Sequence, residues 1–334
     1  MTLERTAPIE THPLRLSDIP EPSAGSGELV IKVSACGVCR SNLHTIEGGW
    51  LESGVPSKFP IVPGHELCGS VAEIGEGVEG FSLGQRVGLQ PLWSSCLRCE
   101  YCITSRENLC SARLITGENV DGGYAQYVLA KAQHTYHVPD AIDDVTAAPL
   151  FCPGVTAYRA VSKAGLSPGK RAAVFGMGGV GHMVLQFARL AGAEVVVAAR
   201  HRRHRKLAEN LGAARTFDRS DADAGEAIAR DGGVDAAFVF APSVDALREA
   251  LAAIKPDGIV VNGAVNEAAL RLDEEKRVVG SVIGSRQDMR RVLEIAGAGM
   301  IKVVTETFEL ENAEDALQRL KDGKIEARAV LVAK

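Results

Sequence analysis

The sequence has no long hydrophobic run. Short aliphatic stretches such as residues 195–199 fall far below the roughly 20 residues that a membrane-spanning helix needs. Residues 1–13 are polar and contain no apolar core segment, which excludes a secretory signal of the usual kind. These two absences indicate that the chain has no membrane partner, and they predict a cytoplasmic location.

The sequence also lacks an excess of positive charge. Its 37 Lys and Arg residues are outnumbered by 42 Asp and Glu residues, which gives a net charge of −5. This balance provides no general attraction to nucleic acid or to an anionic membrane surface. Neither a repeat of fixed period nor a long linker is present, and 46% hydrophobic residues are enough to form globular cores.

A length of 334 residues suggests two domains. Most of the first 150 residues form short alternating apolar runs separated by glycine-rich turns. The strands predicted from these runs are 29–34, 70–74, 86–89 and 124–129. Short strands with few helical periods predict an irregular antiparallel β domain, often a partly open barrel.

The pattern changes after Pro153, where predicted strands alternate with predicted helices. The strands are 171–175, 194–198, 234–240 and 258–261, and the helices include 179–190 and 244–254. This alternation predicts parallel βαβ units and a doubly wound sheet. A helix at 312–320 and a strand at 327–332 are expected to return to the first domain. The predicted domains are therefore 1–151 with 291–334, and 152–290.

Four cysteines lie close together in the β domain, and their spacing is C-x2-C-x2-C-x7-C. They are Cys96, Cys99, Cys102 and Cys110. In a reducing compartment such a cluster indicates metal ligands rather than disulfides. Four thiolates suit a tetrahedral structural Zn²⁺, although an iron–sulfur cluster also uses four cysteines. We favour zinc, which would largely hold together the lobe of residues 92–111, because this lobe contains few apolar residues.

A second set of ligand-type residues is dispersed along the chain. Cys39 follows a predicted strand, His65 and Glu66 precede another, and Cys152 lies where the β domain gives way to the βαβ domain. A lone cysteine is more often a small core residue than a ligand. Each of these residues is therefore weak support for a metal site when taken singly.

The segment 176–181 reads G-M-G-G-V-G and connects a predicted strand to a predicted helix. In this G-x-G-x-x-G pattern, Gly176 permits the tight turn and Gly178 lets the backbone approach a pyrophosphate. Gly181 allows close packing of helix on strand. Because the surrounding strand and helix are also predicted, the loop indicates a dinucleotide site.

The end of the second βαβ strand indicates which dinucleotide is bound. An NAD site usually has Asp or Glu there, but this chain has Ala199 followed by Arg200. Five Arg or Lys residues and two His residues occupy positions 200–206. A 2′-phosphate needs positive charge and no carboxylate, which favours NADP(H), although such a basic run can also be a solvated helix face.

Taken together, these motifs resemble the zinc-dependent alcohol dehydrogenases of the medium-chain dehydrogenase/reductase superfamily. C-G-V-C-R-S-N-L-H, G-H-E, the cysteine quartet, C-x-G-V-T and G-x-G-x-x-G occur in the family's order over nearly the whole chain. The resemblance implies a GroES-like catalytic domain with a partly open β-barrel and a Rossmann domain. It also implies two Zn²⁺ per chain, one catalytic and one structural.

The resemblance assigns roles residue by residue. The implied ligands of the catalytic zinc are Cys39, His65 and Cys152, with Glu66 as a carboxylate that can approach the metal. Ser41 and His44 match the proton relay, and Trp50 matches a residue of the substrate pocket. The implied cofactor-binding residues are Arg40, Thr156, Gly176, Gly178, Gly179, Val180, Gly181, Arg200, Arg205 and Arg328.

One position departs from the family pattern. The family usually has Asp where this chain has Asn42, and that Asp orients the zinc-binding histidine. Asn can still accept a hydrogen bond but carries no charge. Changes of this kind commonly alter metal affinity or activity by about 10–100-fold.

The implied reaction is reversible hydride transfer between a primary alcohol or its aldehyde and NADP(H). The alternatives are the same chemistry with NAD(H), zinc-free reduction of a double bond or quinone, and a zinc-retaining cofactor-binding protein with little turnover. A nucleic-acid-binding zinc module is disfavoured because the quartet has no basic face around it. The resemblance also implies a homodimer or homotetramer, to which residues 278–285 could contribute an edge strand.

Overall fold

The computed structural model describes residues 1–220, 223–264 and 274–333. The chain divides into two compact units, Met1–Cys152 with Ile283–Lys334, and Pro153–Val282. The second boundary thus lies eight residues earlier than the expected start at 291, and Cys152 belongs to the first unit. The reason is that the helix after residue 285 packs on the first unit, where Arg286 Nε donates to Glu107 Oε1 at 2.8 Å.

The first 152 residues form short strands and short helices. The strands are β1 (Thr2–Leu3), β2 (Leu14–Arg15), β3 (Glu28–Gly37), β4 (Leu67–Ile74), β5 (Arg86–Leu89), β6 (Leu92–Ser94), β7 (Leu114–Ile115), β8 (Tyr127–Lys131) and β9 (Thr135–His137). The α-helices are α1 (Arg40–Glu47), α2 (Glu100–Ile103) and α3 (Asp144–Ala147).

The second unit alternates helices and strands. Its helices are α4 (Pro153–Lys163), α5 (Gly181–Leu190), α6 (Arg202–Asn210), α7 (Ala224–Arg230) and α8 (Val244–Ala253). Its strands are β10 (Arg171–Phe175), β11 (Glu194–Ala199), β12 (Arg215–Asp218), β13 (Val234–Val239), β14 (Ile254–Asn262) and β15 (Arg277–Gly280). All strand pairs in this sheet are parallel, in the order β12-β11-β10-β13-β14-β15.

This order is the doubly wound 3-2-1-4-5-6 arrangement that binds dinucleotides. The sheet is apolar on both faces, as a parallel sheet covered by helices must be. Its buried residues include Phe175, Val196 and Phe238. The predicted Rossmann domain is confirmed.

The chain then returns to the first unit through α9 (Arg286–Gly297), β16 (Thr305–Glu309), α10 (Ala313–Lys321) and β17 (Arg328–Val332). The main sheet of this unit has the order β16-β17-β3-β4-β5-β9, and β8 also pairs with β3. β17 runs antiparallel to β3, with Leu331 opposite Cys36. The C-terminal strand is thus placed beside the strand that leads to Cys39. The GroES-like β domain predicted from the family resemblance is confirmed.

Strand β8 begins three residues later than the predicted strand 124–129. The reason is that residues 122–124 turn back onto the segment before His65. Gly122 N donates to Val62 O at 2.7 Å, and Tyr124 N donates to Pro63 O at 2.9 Å. This turn places the Tyr124 side chain next to the dispersed set of ligand-type residues.

Candidate metal and dinucleotide sites

The four quartet cysteines converge in the lobe between β6 and β7. Cys96 and Cys102 have their sulfurs 3.8 Å apart, and those of Cys99 and Cys102 are 3.5 Å apart. All four sulfurs lie within 4.8 Å of one another. A tetrahedral zinc with Zn–S bonds of about 2.3 Å requires sulfur–sulfur separations of about 3.8 Å. The quartet therefore fits a closed zinc site with four thiolate ligands.

The backbone around the quartet favours a thiolate at one of the four cysteines, Cys96, whereas burial raises the pKa of Cys102 to about 11. Backbone N–H groups of Arg98 and Cys99 lower the pKa of Cys96 to about 6. Cys99 also lies at the N-cap of α2 and donates its own N–H to Cys96 Sγ at 3.4 Å. Charge on this sulfur is therefore stabilised before any metal is considered.

The dispersed residues also converge, entirely within the first unit. Cys39 is the N-cap of α1, His65 and Glu66 immediately precede β4, and Cys152 follows the 3-10 helix Ala148–Phe151. One ligand atom from each of the four lies within 4.8 Å of the others. The sulfurs of Cys39 and Cys152 are 3.9 Å apart, close to the edge of a tetrahedral zinc site and far from a disulfide bond.

The electrostatics of this set also suit a metal. A hydrogen bond from Cys152 and the positive charge of Arg328 outweigh burial and hold the pKa of Cys39 well below its ordinary value. Cys39 is therefore suited to supply a thiolate to a cation, while Cys152 adds a second sulfur and His65 an imidazole. Three protein ligands are typical of a catalytic zinc, which keeps one position open.

Glu66 lies beside the ligand set and is paired with Arg328. Arg328 Nε donates to Glu66 Oε2 at 3.0 Å, and its Nη2 makes a second contact with Oε1. Both residues are buried. Gly37 makes this possible, because a Cβ there would lie 2.1 Å from Glu66 Oε2. Arg328 thus directs its guanidinium to Glu66, whereas its family role at the cofactor remains a prediction.

The predicted relay residues lie on α1. Ser41 Oγ is 3.2 Å from His65 Nε2, and His44 follows one turn later with an exposed side chain. Desolvation and the charge of Arg40 lower the pKa of His44, so its ring is neutral and able to accept a proton near pH 7. The ring of Trp50 is 5.3 Å from that of His44, and Arg40 Nη2 donates to Leu320 O at 3.2 Å.

Two residues contact His65 directly or through one neighbour: Asn42, whose position the sequence already connects with the zinc-binding histidine, and Tyr124, which was not predicted as a site residue. Asn42 Nδ2 lies 3.4 Å from His65 Nδ1, and Asn42 Oδ1 accepts from Cys39 N at 3.0 Å. The Tyr124 hydroxyl lies 3.2 Å from the same Oδ1. Tyr124 was missed because no local pattern connects it with residues 42 and 65.

The glycine loop of the second unit has the geometry that its motif requires. Gly176 has φ +100°, and a Cβ there would lie 2.8 Å from Ala241 N. A Cβ on Gly181 would lie 1.8 Å from Gly176 O, so these two glycines are required by the packing of the loop itself. A Cβ on Gly178 would meet no atom within 4 Å. Space beside Gly178 is what an approaching pyrophosphate would use.

The remaining predicted cofactor residues also lie in the second unit. Gly179 and Val180 complete the turn into α5, whose N-cap is Val180. Thr156 is buried in α4. The side chain of Arg200 is exposed directly after β11.

Arg205 is held at the end of β11. Its Nη1 donates to Ala199 O at 3.0 Å and to Arg200 O at 2.8 Å, and its Nη2 lies 2.6 Å from Asp218 Oδ2. Asp218 is directly opposite Ala199 in the sheet, so a carboxylate from the next strand lies near the position where β11 has none. Asp218 was not predicted as a site residue, although its place at the end of strand β12 is a signal for one.

No helix among the described residues is both long enough and apolar enough to span a bilayer.

Comparisons with known proteins cover both units. A family model described as an alcohol dehydrogenase GroES-like domain matches residues 25–140, and one described as a zinc-binding dehydrogenase matches residues 179–298. An alcohol dehydrogenase from Geobacillus stearothermophilus is 38% identical over 325 residues, which are 95% of this chain and 95% of that protein.

Solved structures give the same result. An alcohol dehydrogenase from the archaeon Aeropyrum pernix superposes with a TM-score of 0.91 at 29% identity, over 99% of this chain and 98% of that one. A zinc-binding dehydrogenase from Sinorhizobium meliloti, bound to NADP, has a TM-score of 0.85 at 30% identity, over 94% of each chain. The similarity thus extends over almost the entire sequence.

Proposed function

The chain belongs to the zinc-dependent alcohol dehydrogenase family of the medium-chain dehydrogenase/reductase superfamily, and from this membership we propose that it interconverts primary alcohols and aldehydes with NADP(H) as its preferred coenzyme. It is a zinc-containing, NAD(P)-dependent alcohol dehydrogenase, so the proposal concerns its site residues, its substrate class and its choice of coenzyme. The observation that carries the proposal is the convergence of Cys39, His65 and Cys152.

In this proposal those three residues hold the catalytic zinc and the quartet holds a second, structural zinc. The sulfur–sulfur separations of both sets support this assignment because they match a tetrahedral zinc. A bound zinc supplies positive charge that acidifies an alcohol hydroxyl, and a bound nicotinamide accepts the hydride. The expected metal content is two zinc ions per chain.

The remaining residues of the site manage the proton and the substrate. Ser41 Oγ, which faces His65 Nε2, takes the proton of the alcohol hydroxyl. His44, neutral and exposed, forms the outer end of the relay. Trp50 lines the substrate pocket, and the Arg328 partner of Glu66 holds that carboxyl group in place. These roles follow the family resemblance, and the positions of the side chains support them.

A steady-state panel of matched alcohols tests the substrate class. With NADP⁺ we expect kcat/KM for primary alcohols such as butan-1-ol and benzyl alcohol to exceed that for butan-2-ol by about 10-fold or more, since one misplaced methyl group costs roughly 1–3 kcal/mol in a fitted pocket. A higher kcat/KM for the secondary alcohol would contradict the proposal.

The preference for NADP(H) is supported by Ala199, which leaves no acid on β11, and by the exposed Arg200 beside it. Arg205 is already engaged by Asp218, so Arg200 carries most of the expected contact with the 2′-phosphate. Arg200→Ala is expected to lower kcat/KM with NADP⁺ by about 10-fold, the value of one charge-assisted hydrogen bond, and to leave kcat/KM with NAD⁺ nearly unchanged.

Ala199→Asp is the complementary variant and is expected to reverse the preference, because a carboxylate repels the 2′-phosphate and accepts from a ribose 2′-hydroxyl. If the wild-type enzyme has a higher kcat/KM with NAD⁺ than with NADP⁺, the proposed preference is wrong and the same chemistry uses NAD(H).

We further propose a homodimer or homotetramer in the cytoplasm. Among the described residues, β15 is an edge strand that pairs only with β14, and such an edge is available to a second copy. The eight cysteines form no disulfides, which suits a reducing compartment. Sedimentation of the wild type and of Val279→Pro tests the assembly. If the variant formed the same oligomer as the wild type, β15 would be excluded as the contact between copies.

A further inference from the structure

Asn42 is completely buried, and its side chain contacts three polar groups at once. These are the Cys39 backbone N–H, the Tyr124 hydroxyl and Nδ1 of His65. Asn42 is also the N3 residue of α1, so its bond to Cys39 N closes the first turn of that helix. An asparagine side chain offers one oxygen that accepts and one NH2 that donates.

The hydrogen-bonding partners fix which way the amide faces. The Cys39 N–H can only donate, so Asn42 Oδ1 has to face it. The Tyr124 hydroxyl can donate or accept, and it donates to the same Oδ1. Asn42 Nδ2 is left facing His65 Nδ1, which has to accept.

That orientation determines where the imidazole carries its proton. A neutral histidine has one N–H and one nitrogen with a free lone pair. If Nδ1 accepts from Asn42, the proton resides on Nε2. Yet Nε2 is the nitrogen 3.2 Å from Ser41 Oγ, on the side of the ring away from Asn42, and a metal ligand needs its lone pair there.

An aspartate at position 42 would behave differently. A carboxylate has acceptors only, so one oxygen could accept from Cys39 N while the other accepted from His65 Nδ1–H. That arrangement leaves Nε2 free for a metal with no loss of either hydrogen bond. Asparagine can accept from His65 Nδ1–H only if its amide turns over. The turned amide then places Nδ2, a donor, against the Cys39 N–H, which is also a donor.

We propose that Asn42 is a positioning residue that holds metal-free His65 in its Nε2-protonated form, so that zinc binding requires the Asn42 amide to turn and to give up its bond to Cys39. The dispersed site is therefore a weaker and more readily exchanged zinc site than the same site with a carboxylate at position 42. This inference rests on the proposed assignment of Cys39, His65 and Cys152 as zinc ligands.

A chelator competition on the zinc-loaded, full-length protein provides the first test. Graded chelator should release two zinc equivalents in two steps, with the dispersed site first and the quartet second. Asn42→Asp is expected to raise the chelator concentration needed for the first step by about 10–100-fold and to leave the second step unchanged.

Asn119→Asp is the matched control because it adds the same charge in the same unit. The Oδ1 of Asn119 accepts from Ile115 N, a bond that the aspartate retains. Its release curve should match that of the wild type. The inference would be overturned if the wild type and Asn42→Asp released the first zinc equivalent at the same chelator concentration. It would also be overturned if Asn119→Asp raised that concentration as much as Asn42→Asp does.

A spectroscopic arm examines the tautomer directly and does not depend on the folding of any variant at position 42. In two-bond 1H–15N spectra of histidine-labelled wild type after release of the first zinc equivalent, His65 should show a protonated Nε2 and an unprotonated Nδ1. The His65 signal is assigned by its loss in His65→Gln. A proton on Nδ1 in that state would overturn the inference.

Cys39→Ala separates this inference from the assignment on which it rests. Loss of the first release step in Cys39→Ala establishes the dispersed site, so a null result with Asn42→Asp would then count against the tautomer inference alone. Retention of both steps in Cys39→Ala would overturn the site assignment and this inference together.

Discussion

The first unit contains two sets of side chains that could hold a metal ion, and they are assembled in opposite ways. The quartet collects its four sulfurs from residues 96–110, on a loop, a short helix and the turn that follows. The dispersed set collects its ligands from residues 39, 65 and 152, which three different elements deliver. Closing a short loop costs less chain entropy than joining distant segments, so only the dispersed set needs the whole β domain to form it.

The two sets also differ in how much buried protein structure surrounds them. Several large apolar residues of the lobe remain exposed, among them Tyr101, Ile103 and Leu114, so little hydrophobic burial holds the lobe. The dispersed set lies instead on buried Asn42 and on the buried Glu66–Arg328 pair. The quartet is therefore a site in which metal would hold the protein together. The dispersed set is one in which the protein would hold the metal.

The sharpest test of this contrast is Cys39→Ala. Loss of one of three ligands should remove the catalytic zinc and lower kcat by about 1,000-fold or more, since a Lewis acid contributes several kcal/mol. The zinc content should fall from two to one per chain while the unfolding temperature changes little. Cys68→Ala, which removes a buried thiol that bonds to Asp144, is the control and should retain two zinc ions. Full activity in Cys39→Ala would remove the distinction between the two sets.

The second test concerns the support beneath the dispersed set. Arg328→Met leaves Glu66 as an unpaired buried charge, which should destabilise the protein by about 3 kcal/mol. Denaturant unfolding measures this loss. The double variant Glu66→Leu, Arg328→Met should recover part of it, because an apolar pair has no charge to desolvate. A single variant as stable as the wild type would mean that the pair does not support the site.

The third test concerns the quartet. Cys102→Ala should release the structural zinc and destabilise the first unit by about 2 kcal/mol, because the lobe has little core of its own. Limited proteolysis should cut within residues 96–113 much faster than in the wild type. The dispersed site should keep its zinc, and kcat per folded molecule should stay within about 10-fold of the wild type. If the lobe resisted protease without its zinc, the metal would not be what holds the lobe together, which would contradict the comparison.

The smallest expected effect is a dependence of the free energy of unfolding on pH, which arises from His134 beside the lobe. Burial, helped by the charge of Arg286, lowers the pKa of His134 to about 3, and its Nε2 lies 3.2 Å from the hydroxyl of Ser95. The unfolded chain, with an ordinary histidine pKa near 6.5, binds more protons between these two values. Stability should therefore fall as the pH drops below 6.5, by about 1 kcal/mol between pH 6.5 and 5.5 from this residue.

His134→Gln should flatten that slope in denaturant unfolding with zinc present at both pH values. Identical slopes in wild type and variant would show that His134 does not contribute to the acid sensitivity of the lobe.

The sequence alone predicted those parts of the molecule that local patterns determine. The segment 171–190 was identified as strand, glycine loop and helix because each step has its own short-range signal, and the structure places β10 and α5 there. The quartet was equally readable from its spacing. The family resemblance then supplied the dispersed set, which no spacing could connect.

The contacts that give each site its character could not be predicted in this way. Glu66 meets Arg328 across 262 positions of sequence, and Asn42 meets the Tyr124 hydroxyl across 82. Asp218 meets Arg205 only because β12 lies next to β11. Such pairs depend on how distant segments pack, and a single sequence contains no periodic or local signal of that packing.

The place of β17 beside β3 also has a consequence for biosynthesis. A ribosome makes residues 96–110 well before it reaches residue 328, so a nascent chain can load the quartet with zinc while translation continues. Glu66, by contrast, has no guanidinium partner until β17 has emerged and paired with the strand that leads to Cys39. All four cysteines of the quartet are therefore available early in translation, whereas the Arg328 support of the dispersed set is complete only after the last strand has docked.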